Sequence, residues 1–268
     1  MCSILHSIPV AFALLSWNVA GRVARAAEQA DLVGGLGADV VCLQELTPST
    51  APVWAERLGE AGYHSSVAEM PAARASSRPL GVLIAARVDL HPAPVPDVPW
   101  PERVLAARLD ETLEVVNVHS PISPKPGLAK VLTHEAVFRH MVAGAGPRLV
   151  CGDLNTPRRE HPDGSVWTFA RTRSGALRTE RGERWDAAET ALVRGLEAHG
   201  FRDAFRDAHG HAVKEVSWAW PRGGGYRLDH LIVSAEIAVA QCRYLHEWRT
   251  ELKLSDHSPL LAELAVAR

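Results

Sequence analysis

Residues 149–155, LVCGDLN, combine the end of an apolar strand with two polar side chains. Two aliphatic residues and Cys151 are typical of a buried strand, and the strand pattern ends at Gly152. Asp153 and Asn155 are two positions apart, so in an extended backbone their side chains lie on the same face. Because Gly, Asp and Asn are also common turn residues, this stretch is either a turn or part of a site.

Other apolar segments carry the same kinds of polar side chain at or near their ends. These segments are LLSWN with Asn18, VVCLQE with Glu45, VVNVH with His119, YRLDHLIV with Asp229, and LSDHSPLLAEL with Asp256 and His257. Polar groups beside apolar strands are costly to bury unless they are paired or bind something. The repetition therefore favours one shared pocket at the strand ends over a set of unrelated turns.

Length and composition favour a globular protein. A chain of 268 residues can bury a large core as one domain, and we expect a single domain over residues 1–268. Hydrophobic residues make up 47% of the chain and charged residues 22%, which is typical of soluble proteins. The formal net charge of −2 excludes a global positive field that would recruit nucleic acid, but a local basic patch stays open.

The cysteines and the first residues bear on location. Cys2, Cys42, Cys151 and Cys242 form no CxxC pair, which argues against a structural zinc site or a disulfide framework. We therefore expect a reducing compartment and a cytoplasmic location. The apolar run at residues 4–17 has no preceding Lys or Arg and is too short to span a membrane. We expect residues 1–12 to form a tail before the first strand.

Helical and strand patterns first alternate, and then strands dominate. The patterns predict helices over 22–36, 49–62, 126–141 and 186–199, and strands over 64–68, 80–86, 103–109 and 113–119. We expect the first helix to end at its glycines, Gly34, Gly35 and Gly37. Helices that alternate with runs of strands predict an α/β (α+β) protein in which two sheets pack together with helices outside.

Residues 157–186 differ in composition from the rest of the chain. Seven arginines outnumber five acids there, and Trp167, Phe169 and Trp185 lie among them. We expect a loop insertion that is either a solvated surface or a wall that binds phosphates and stacks on bases. Trp218 and Trp220 alternate before a glycine turn, where they either line the pocket or pack in the core, and we expect at least one of them to pack in the core.

Six short peptides in a fixed order identify a family resemblance. SWN, LQE, NVHSP, GDLN, RLDHL and SDHSP occur in this order between about residues 14 and 264. Together they resemble the endonuclease/exonuclease/phosphatase superfamily, which includes DNase I and abasic-site endonucleases. The resemblance implies a four-layer α-β-β-α sandwich, with two packed, mostly antiparallel sheets, outer helices and an active site at one edge of the sheets.

The resemblance also implies catalytic residues. These are His119, Asp153, Asp229 and His257. Asp153 matches the residue that orients or deprotonates the attacking water, and Asp229 and His257 match a hydrogen-bonded pair. His119 matches a histidine found in DNase-like and sphingomyelinase-like members, where abasic-site enzymes have a tyrosine. Ala20 stands where abasic-site endonucleases carry a polar residue, and both differences argue against an abasic-site specialist.

The remaining motif residues are implied to bind phosphate and metal. Asn18 and Asn155 match amides near the phosphate, and the metal ligands implied are Glu45, Asn18 and Asp256. Magnesium is usually held by one or two carboxylates together with the phosphate of the substrate, and a sparse site of this kind fits that preference. We therefore expect Mg²⁺ as cofactor, with Mn²⁺ as a substitute.

These observations predict a metal-dependent phosphodiester hydrolase, with a nuclease as the first choice. The alternatives are a phosphomonoesterase, a phosphodiesterase acting on phospholipids or small molecules, and an inactive binding module. The near-neutral charge favours a small substrate, whereas the arginine-rich segment favours nucleic acid. We expect a phosphate-ester substrate, a monomer and no membrane span.

Overall fold

Two six-stranded sheets form the centre of the fold in the computed structural model, which describes residues 11–70, 79–122 and 127–266. The strands of the first sheet are β1 (Ala11–Asn18), β2 (Val40–Leu46), β3 (Ser65–Glu69), β4 (Gly81–Ala86), β15 (Ile237–Tyr244) and β16 (Leu260–Val266). The strands of the second are β5 (Leu90–Pro92), β6 (Val104–Leu109), β7 (Leu113–His119), β8 (Arg148–Asp153), β11 (Phe201–Asp203) and β14 (Asp229–Ser234). Two small hairpins pair β9 (Arg159–Glu160) with β10 (Val166–Trp167), and β12 (Trp218–Ala219) with β13 (Gly225–Tyr226).

Each large sheet is antiparallel except for one parallel pair. The strand orders are β15-β16-β1-β2-β4-β3 and β11-β14-β8-β7-β6-β5. The parallel pairs are β1 with β2 and β7 with β8. Parallel neighbours need a long crossover, and the helices α1 (Ala26–Leu36) and α3 (Ala129–Ala143) lie in these two connections. The carboxyl ends of the two strands in each pair therefore lie side by side.

Apolar side chains hold four layers together. One buried cluster joins the facing surfaces of the two sheets, with Leu14 and Ile84 from the first and Leu149 from the second. A second cluster packs the outer face of the first sheet on α1 and on α2 (Ala51–Glu60), and a third packs the outer face of the second sheet on α3 and on α4 (Gly182–Val193). Two short helices, α5 (Ala204–His209) and α6 (His246–Thr250), complete the described chain. The predicted α-β-β-α sandwich of two mostly antiparallel sheets is confirmed.

Several predicted boundaries need correction. The tail predicted for residues 1–12 is too long, because Ala11 and Phe12 pair with β16 as part of β1; residues 1–10 lie outside the described chain. Helix α1 continues through Gly34 and Gly35 and ends at Leu36, where Gly37 adopts a φ of 74°. A residue with left-handed backbone geometry after the last turn commonly ends a helix. The helix therefore stops at Gly37, which has this geometry, and not at Gly34 or Gly35, which lie inside it.

The arginine-rich segment 157–186 is not a continuous loop. It contains the β9–β10 hairpin and the first turn of α4, which begins at Gly182. The helix predicted over 186–199 ends at Val193 and is followed by a 3-10 helix, Gly195–His199. Gly195 explains the interruption, since glycine is unfavourable inside an α-helix. Helix α3 begins three residues after the predicted start, Pro126, which lies outside the described residues.

The structure also bears on the cysteines and on membrane insertion. Cys42, Cys151 and Cys242 are buried free thiols, and Cys2 lies outside the described residues. Among the described helices, none has the length and apolar character needed to cross a bilayer.

Candidate active site at the edge of the two sheets

The four strands of the two parallel pairs deliver polar side chains to one place. Asn18 ends β1, Glu45 lies near the end of β2, His119 ends β7 and Asp153 ends β8. The amide nitrogen Nδ2 of Asn18 donates to Asp153 Oδ2 at 2.9 Å and to Glu45 Oε1 at 3.2 Å. The Nε2 atom of His119 lies 3.5 Å from Glu45 Oε1. Residues from both sheets thus meet in one cluster.

Local backbone geometry places the two carboxylates. Glu45 has a φ of 63° and lies at a register shift between β2 and β4, which turns its side chain out of the strand alternation. Gly152 has a φ of 122°, and a Cβ atom there would lie 2.1 Å from the backbone oxygen of Val118. Only glycine allows β8 to approach β7 this closely immediately before Asp153.

Asp153 is buried, and both of its carboxylate oxygens accept hydrogen bonds. Oδ1 accepts from the backbone N–H of Asn155 at 2.9 Å, and Oδ2 accepts from Asn18 and, at 3.3 Å, from Asn155 Nδ2. Burial raises the pKa of Asp153 to about 7, although attraction to His257 opposes this increase. The group is therefore suited to accept a proton near neutral pH.

Asp229 and His257 form the pair that the sequence predicts. His257 Nδ1 lies 2.8 Å from Asp229 Oδ2, and both side chains are buried. Burial lowers the pKa of His257, but the charge of Asp229 and its hydrogen bond outweigh burial and raise that pKa to about 10. His257 Nε2 lies 3.9 Å from Asp153 Oδ2. An oxygen atom with hydrogen bonds of about 2.8 Å to each side fits between them.

Arg103 is a site residue that the sequence analysis missed. It is buried, and its Nη1 lies 2.7 Å from His119 Nδ1. The same Nη1 lies 3.2 Å from Nε2, and because a guanidinium only donates hydrogen bonds, we assign the nearer Nδ1 as its acceptor and the ring hydrogen of neutral His119 to Nε2. Burial, followed by the charge of Arg103, lowers the pKa of His119 well below its ordinary value. His119 is therefore a neutral donor that points towards Glu45.

The position of Arg103 explains why it was missed. The sequence search followed the ends of strands, whereas Arg103 precedes the first residue of β6. Because β6 is antiparallel to β7 and Val104 pairs with Val118, the start of β6 lies beside the end of β7. The antiparallel register of this hairpin is the signal that could have found it.

Three residues offer atoms that could surround a metal ion. The ligand atoms of Glu45, His119 and Asp153 all lie within 4.8 Å of one another. Because Nε2 of His119 carries the ring hydrogen, the metal ligands that remain are the oxygens of the two carboxylates. Glu45 is only half-buried, and no described protein group donates a hydrogen bond to its Oε2. Mg²⁺ prefers oxygen ligands and keeps several waters, so a site with few carboxylates fits this ion.

The other two predicted ligands face differently. Asn18 Oδ1 accepts from the backbone N–H of Ala20 at 2.9 Å, so its amide nitrogen faces the carboxylates. Asp256 Oδ2 accepts from Trp218 Nε1 at 2.9 Å, and Asp256 lies outside the cluster of possible ligands. Metal binding by Asn18 and by Asp256 stays a prediction.

Asn155 is held from behind by buried charges. Its Nδ2 donates to the backbone oxygen of Ser120 at 2.8 Å as well as to Asp153, so its predicted contact with phosphate stays a prediction. Lys130 Nζ donates to the backbone oxygen of Asn155 at 2.7 Å and lies 2.9 Å from Glu189 Oε1. Lys130 and Glu189 were missed because polar residues on α3 and α4 look like solvent-facing residues in sequence.

The two alternating tryptophans lie on the rim of the site. Trp218 is half-buried and pairs through a backbone bridge with His257, while Trp220 is 39% exposed. The expectation that at least one packs in the core is wrong. Both belong to the β12–β13 region, whose glycine turn folds the chain back at the surface and brings Tyr226 beside both rings.

Comparisons with known proteins agree with this architecture. A family model described as the Endonuclease/Exonuclease/phosphatase family matches residues 15–257. No curated protein matches the chain. An AP endonuclease from Archaeoglobus fulgidus has a TM-score of 0.70 at 21% identity, and the alignment covers 94% of this chain and 98% of that one.

Two further solved structures are similar over nearly their whole length. The 3'-5' exonuclease NExo from Neisseria meningitidis has a TM-score of 0.69 at 23% identity, with 94% of this chain and 99% of that chain covered. A humanized TDP2 from D. rerio has a TM-score of 0.67 at 15% identity, with 96% and 100% covered. At these identities, the similarity establishes the fold alone.

Proposed function

The chain belongs to the endonuclease/exonuclease/phosphatase family of phosphoesterases, and from this premise we propose that it is a divalent-metal-dependent phosphodiesterase that cleaves nucleic acid. One observation carries the proposal. The carboxylate of Asp153 lies 3.9 Å from Nε2 of His257, whose raised pKa keeps it protonated at neutral pH. A proton acceptor for the attacking water and a proton donor for a phosphate oxygen therefore lie side by side.

Glu45 would be the principal ligand of the metal ion. Its carboxylate is half-buried at the open side of the cluster, and Asp153 lies close enough to touch the ion or a water bound to it. When bound, Mg²⁺ supplies positive charge to the non-bridging oxygens of the phosphate. The remaining steps depend on side chains of the chain itself.

The side chains align the attacking water and stabilise the charge that develops on the phosphate. Asp153 accepts a hydrogen bond from the attacking water and takes its proton as the new P–O bond forms and the P–O bond to the leaving group breaks, and the leaving oxygen takes up a proton from solvent water. The imidazolium of His257 donates from Nε2 to a phosphate oxygen, and its other ring N–H stays on Asp229. Neutral His119 donates from Nε2 on the side of Glu45. Asn18 links the two carboxylates and keeps them apart at a fixed distance.

Two observations support nucleic acid as the substrate. The similar structures include a 3'-5' exonuclease from Neisseria, and also a 3' phosphatase form of NExo bound to a product DNA hairpin. In addition, the arginine-rich segment leaves directly from the site, two residues after Asn155. A terminal phosphomonoester is the second candidate, since the same donors would hold a terminal phosphate and the phosphatase structure shares the fold.

A substrate panel tests the proposal. Purified protein is incubated with single- and double-stranded DNA, RNA, bis-p-nitrophenyl phosphate and p-nitrophenyl phosphate, each with Mg²⁺ or with EDTA. We expect diester cleavage that EDTA abolishes and that Glu45→Gln and His257→Gln greatly reduce. Glu56→Gln, on the exposed side of α2, is the matched control and keeps wild-type activity. Absence of cleavage of every diester, or cleavage that EDTA leaves unchanged, would contradict the proposal.

A further inference from the structure

An open groove lies beside the candidate active site and has no role in the chemistry described above. Its volume is about 410 Å³, and we call it the aromatic groove. It is lined by Arg158, Arg159, Trp167, Arg173, Trp220 and Tyr226. Its composition, three guanidinium groups around three aromatic rings, differs from the acidic cluster of the site.

Contacts on the rim connect the groove to the catalytic histidine. The rings of Trp220 and Trp218 lie 5.1 Å apart between centroids. Trp218 in turn donates to Asp256 and pairs through its backbone with His257. Tyr226 lies three residues before Asp229 along the chain. Only Trp218 therefore separates a ligand on Trp220 from His257.

Six of the seven arginines of the 157–186 segment fall into two groups. Arg171, Arg178 and Arg184 each form an ion pair, with Asp186, Glu180 and Glu135 respectively. Among the described residues, by contrast, no carboxylate lies within 4.0 Å of the three arginines of the groove. Arg159 lies over the ring of Trp167 at 5.4 Å, and Arg173 is exposed. Three guanidinium groups that have no carboxylate partner in the described chain thus line the groove, and one of them, Arg158, donates to the backbone oxygen of Arg171 at 3.1 Å.

The rings of the groove are held in place before any ligand binds. Trp220 packs edge to face on Tyr226, with centroids 4.8 Å apart and planes at 71°. A Cβ atom on Gly224 would lie 3.3 Å from the Trp220 ring, and one on Gly225 would lie 2.0 Å from the backbone oxygen of Trp218. The glycine turn therefore packs against the tryptophans, and Trp220 is still 39% exposed. A fixed, exposed aromatic ring beside cations suits a nucleobase.

We propose that the aromatic groove binds an unpaired nucleotide next to the scissile phosphodiester, with its base stacked on Trp220 and adjacent phosphates on Arg159 and Arg173. This inference rests on the proposed function and names its substrate as a single-stranded or locally unpaired strand. A duplex keeps its bases stacked on one another, so only an unpaired base offers a face to the ring. Because the net charge of −2 gives the protein no overall positive field, phosphate binding depends on a local patch such as this one.

Binding without cleavage provides the test. Fluorescence anisotropy of a fluorescein-labelled single-stranded oligonucleotide is measured in EDTA with the full chain. We expect Trp220→Ala to weaken binding about 5- to 150-fold, the range for loss of one stacked base, and Trp220→Phe to restore most of it. We expect the double variant R159Q/R173Q to reduce the slope of log K against log salt by about 1.4, because two phosphate contacts are lost. Arg243→Gln, an exposed arginine on β15, is the matched control and binds as the wild type does.

The outcomes separate this inference from the proposed function. Wild-type affinity in both Trp220→Ala and R159Q/R173Q, or equal wild-type affinity for a duplex of the same length, would overturn the inference. Equal thermal midpoints of wild type and variants ensure that a loss reflects binding; if Trp220→Ala does not fold, the salt slope of R159Q/R173Q decides. If the wild type hydrolyses bis-p-nitrophenyl phosphate and binds no single strand, only the groove assignment is wrong. If it binds single strands and hydrolyses no diester, only the proposed function is wrong.

Discussion

Asp229→Asn tests how the site keeps its catalytic histidine charged. The carboxylate of Asp229 accepts from His257 Nδ1 at 2.8 Å and is the main group that raises the pKa of His257 against the effect of burial. Asparagine keeps the shape of the side chain and removes the charge. We therefore expect the variant to fold and to lose the protonated form of His257 at alkaline pH.

The magnitude follows from the two pKa values. With a pKa of about 10, His257 in the wild type is about 99% protonated at pH 8. Without the charge of Asp229, burial lowers the pKa of His257 while the charges of Asp153 and Asp256 still raise it, so with a pKa near the ordinary value of 6.5 about 3% is protonated at pH 8. We expect kcat at pH 8 to fall about 30-fold, with a smaller loss as the pH is lowered towards 6.

The assay is kcat for bis-p-nitrophenyl phosphate with Mg²⁺ between pH 6 and pH 10. Wild-type activity should rise through about pH 7 as Asp153 loses its proton, persist up to about pH 10 and fall above it as His257 loses its proton, whereas the variant should lose activity as the pH rises through about 6.5. Asp207→Asn, which removes an exposed carboxylate on α5, is the control and should keep the wild-type profile. A uniform loss at every pH, or an unchanged profile, would refute the assigned role of the charge.

Three further predictions concern the buried charges and the strand that carries the site. The buried Arg227 lies 2.7 Å from Glu160 and 2.8 Å from Asp203, and Arg227→Met removes this partner from both carboxylates. In urea titrations the variant should lower the free energy of unfolding by about 3–5 kcal/mol. Arg25→Met, at an exposed arginine, should lower it far less. Burial raises the pKa of Glu160, but the charge of Arg227 outweighs burial and lowers that pKa to about 2. The contribution of Glu160 to the free energy of unfolding should therefore be complete above pH 4.5 and be lost as the pH falls from 4.5 towards 2. Urea titrations at each pH should show a loss of about 3 kcal/mol over this range. Gly152→Ala places a Cβ atom 2.1 Å from a backbone oxygen of β7 at a φ of 122°, and should abolish activity and lower the thermal midpoint; wild-type values of both would contradict the close approach of the strands.

The layers and the principal site residues could be predicted from sequence because they depend on local pattern. Strand periodicity assigned the apolar cores of β7 and β8, and their polar ends, His119 and Asp153, pair directly in the parallel register. In a parallel pair, adjacent carboxyl ends bring such residues together whatever the loop lengths. Asn18 pairs with Gln44 in the parallel register of β1 and β2, and the register shift at Glu45 brings that carboxylate to the Asn18 amide.

What could not be predicted depends on contacts between distant segments. Arg103 reaches His119 only because of the β6–β7 register, and Trp218 reaches Asp256 across 38 positions. The orientation of the Asn18 amide is set by the backbone N–H of Ala20, and no sequence pattern specifies which amide atom faces a site. The family resemblance assigned roles by position and could not supply these orientations.

The account depends most on one divalent ion held by Glu45 beside Asp153 and His257. Anomalous diffraction from crystals soaked in Mn²⁺ measures the position of that ion directly. We expect a single strong peak about 2.1 Å from a carboxylate oxygen of Glu45, on the side that faces Asp153. A peak elsewhere in the molecule, or no peak in crystals of a protein that hydrolyses diesters with Mn²⁺, would contradict the account.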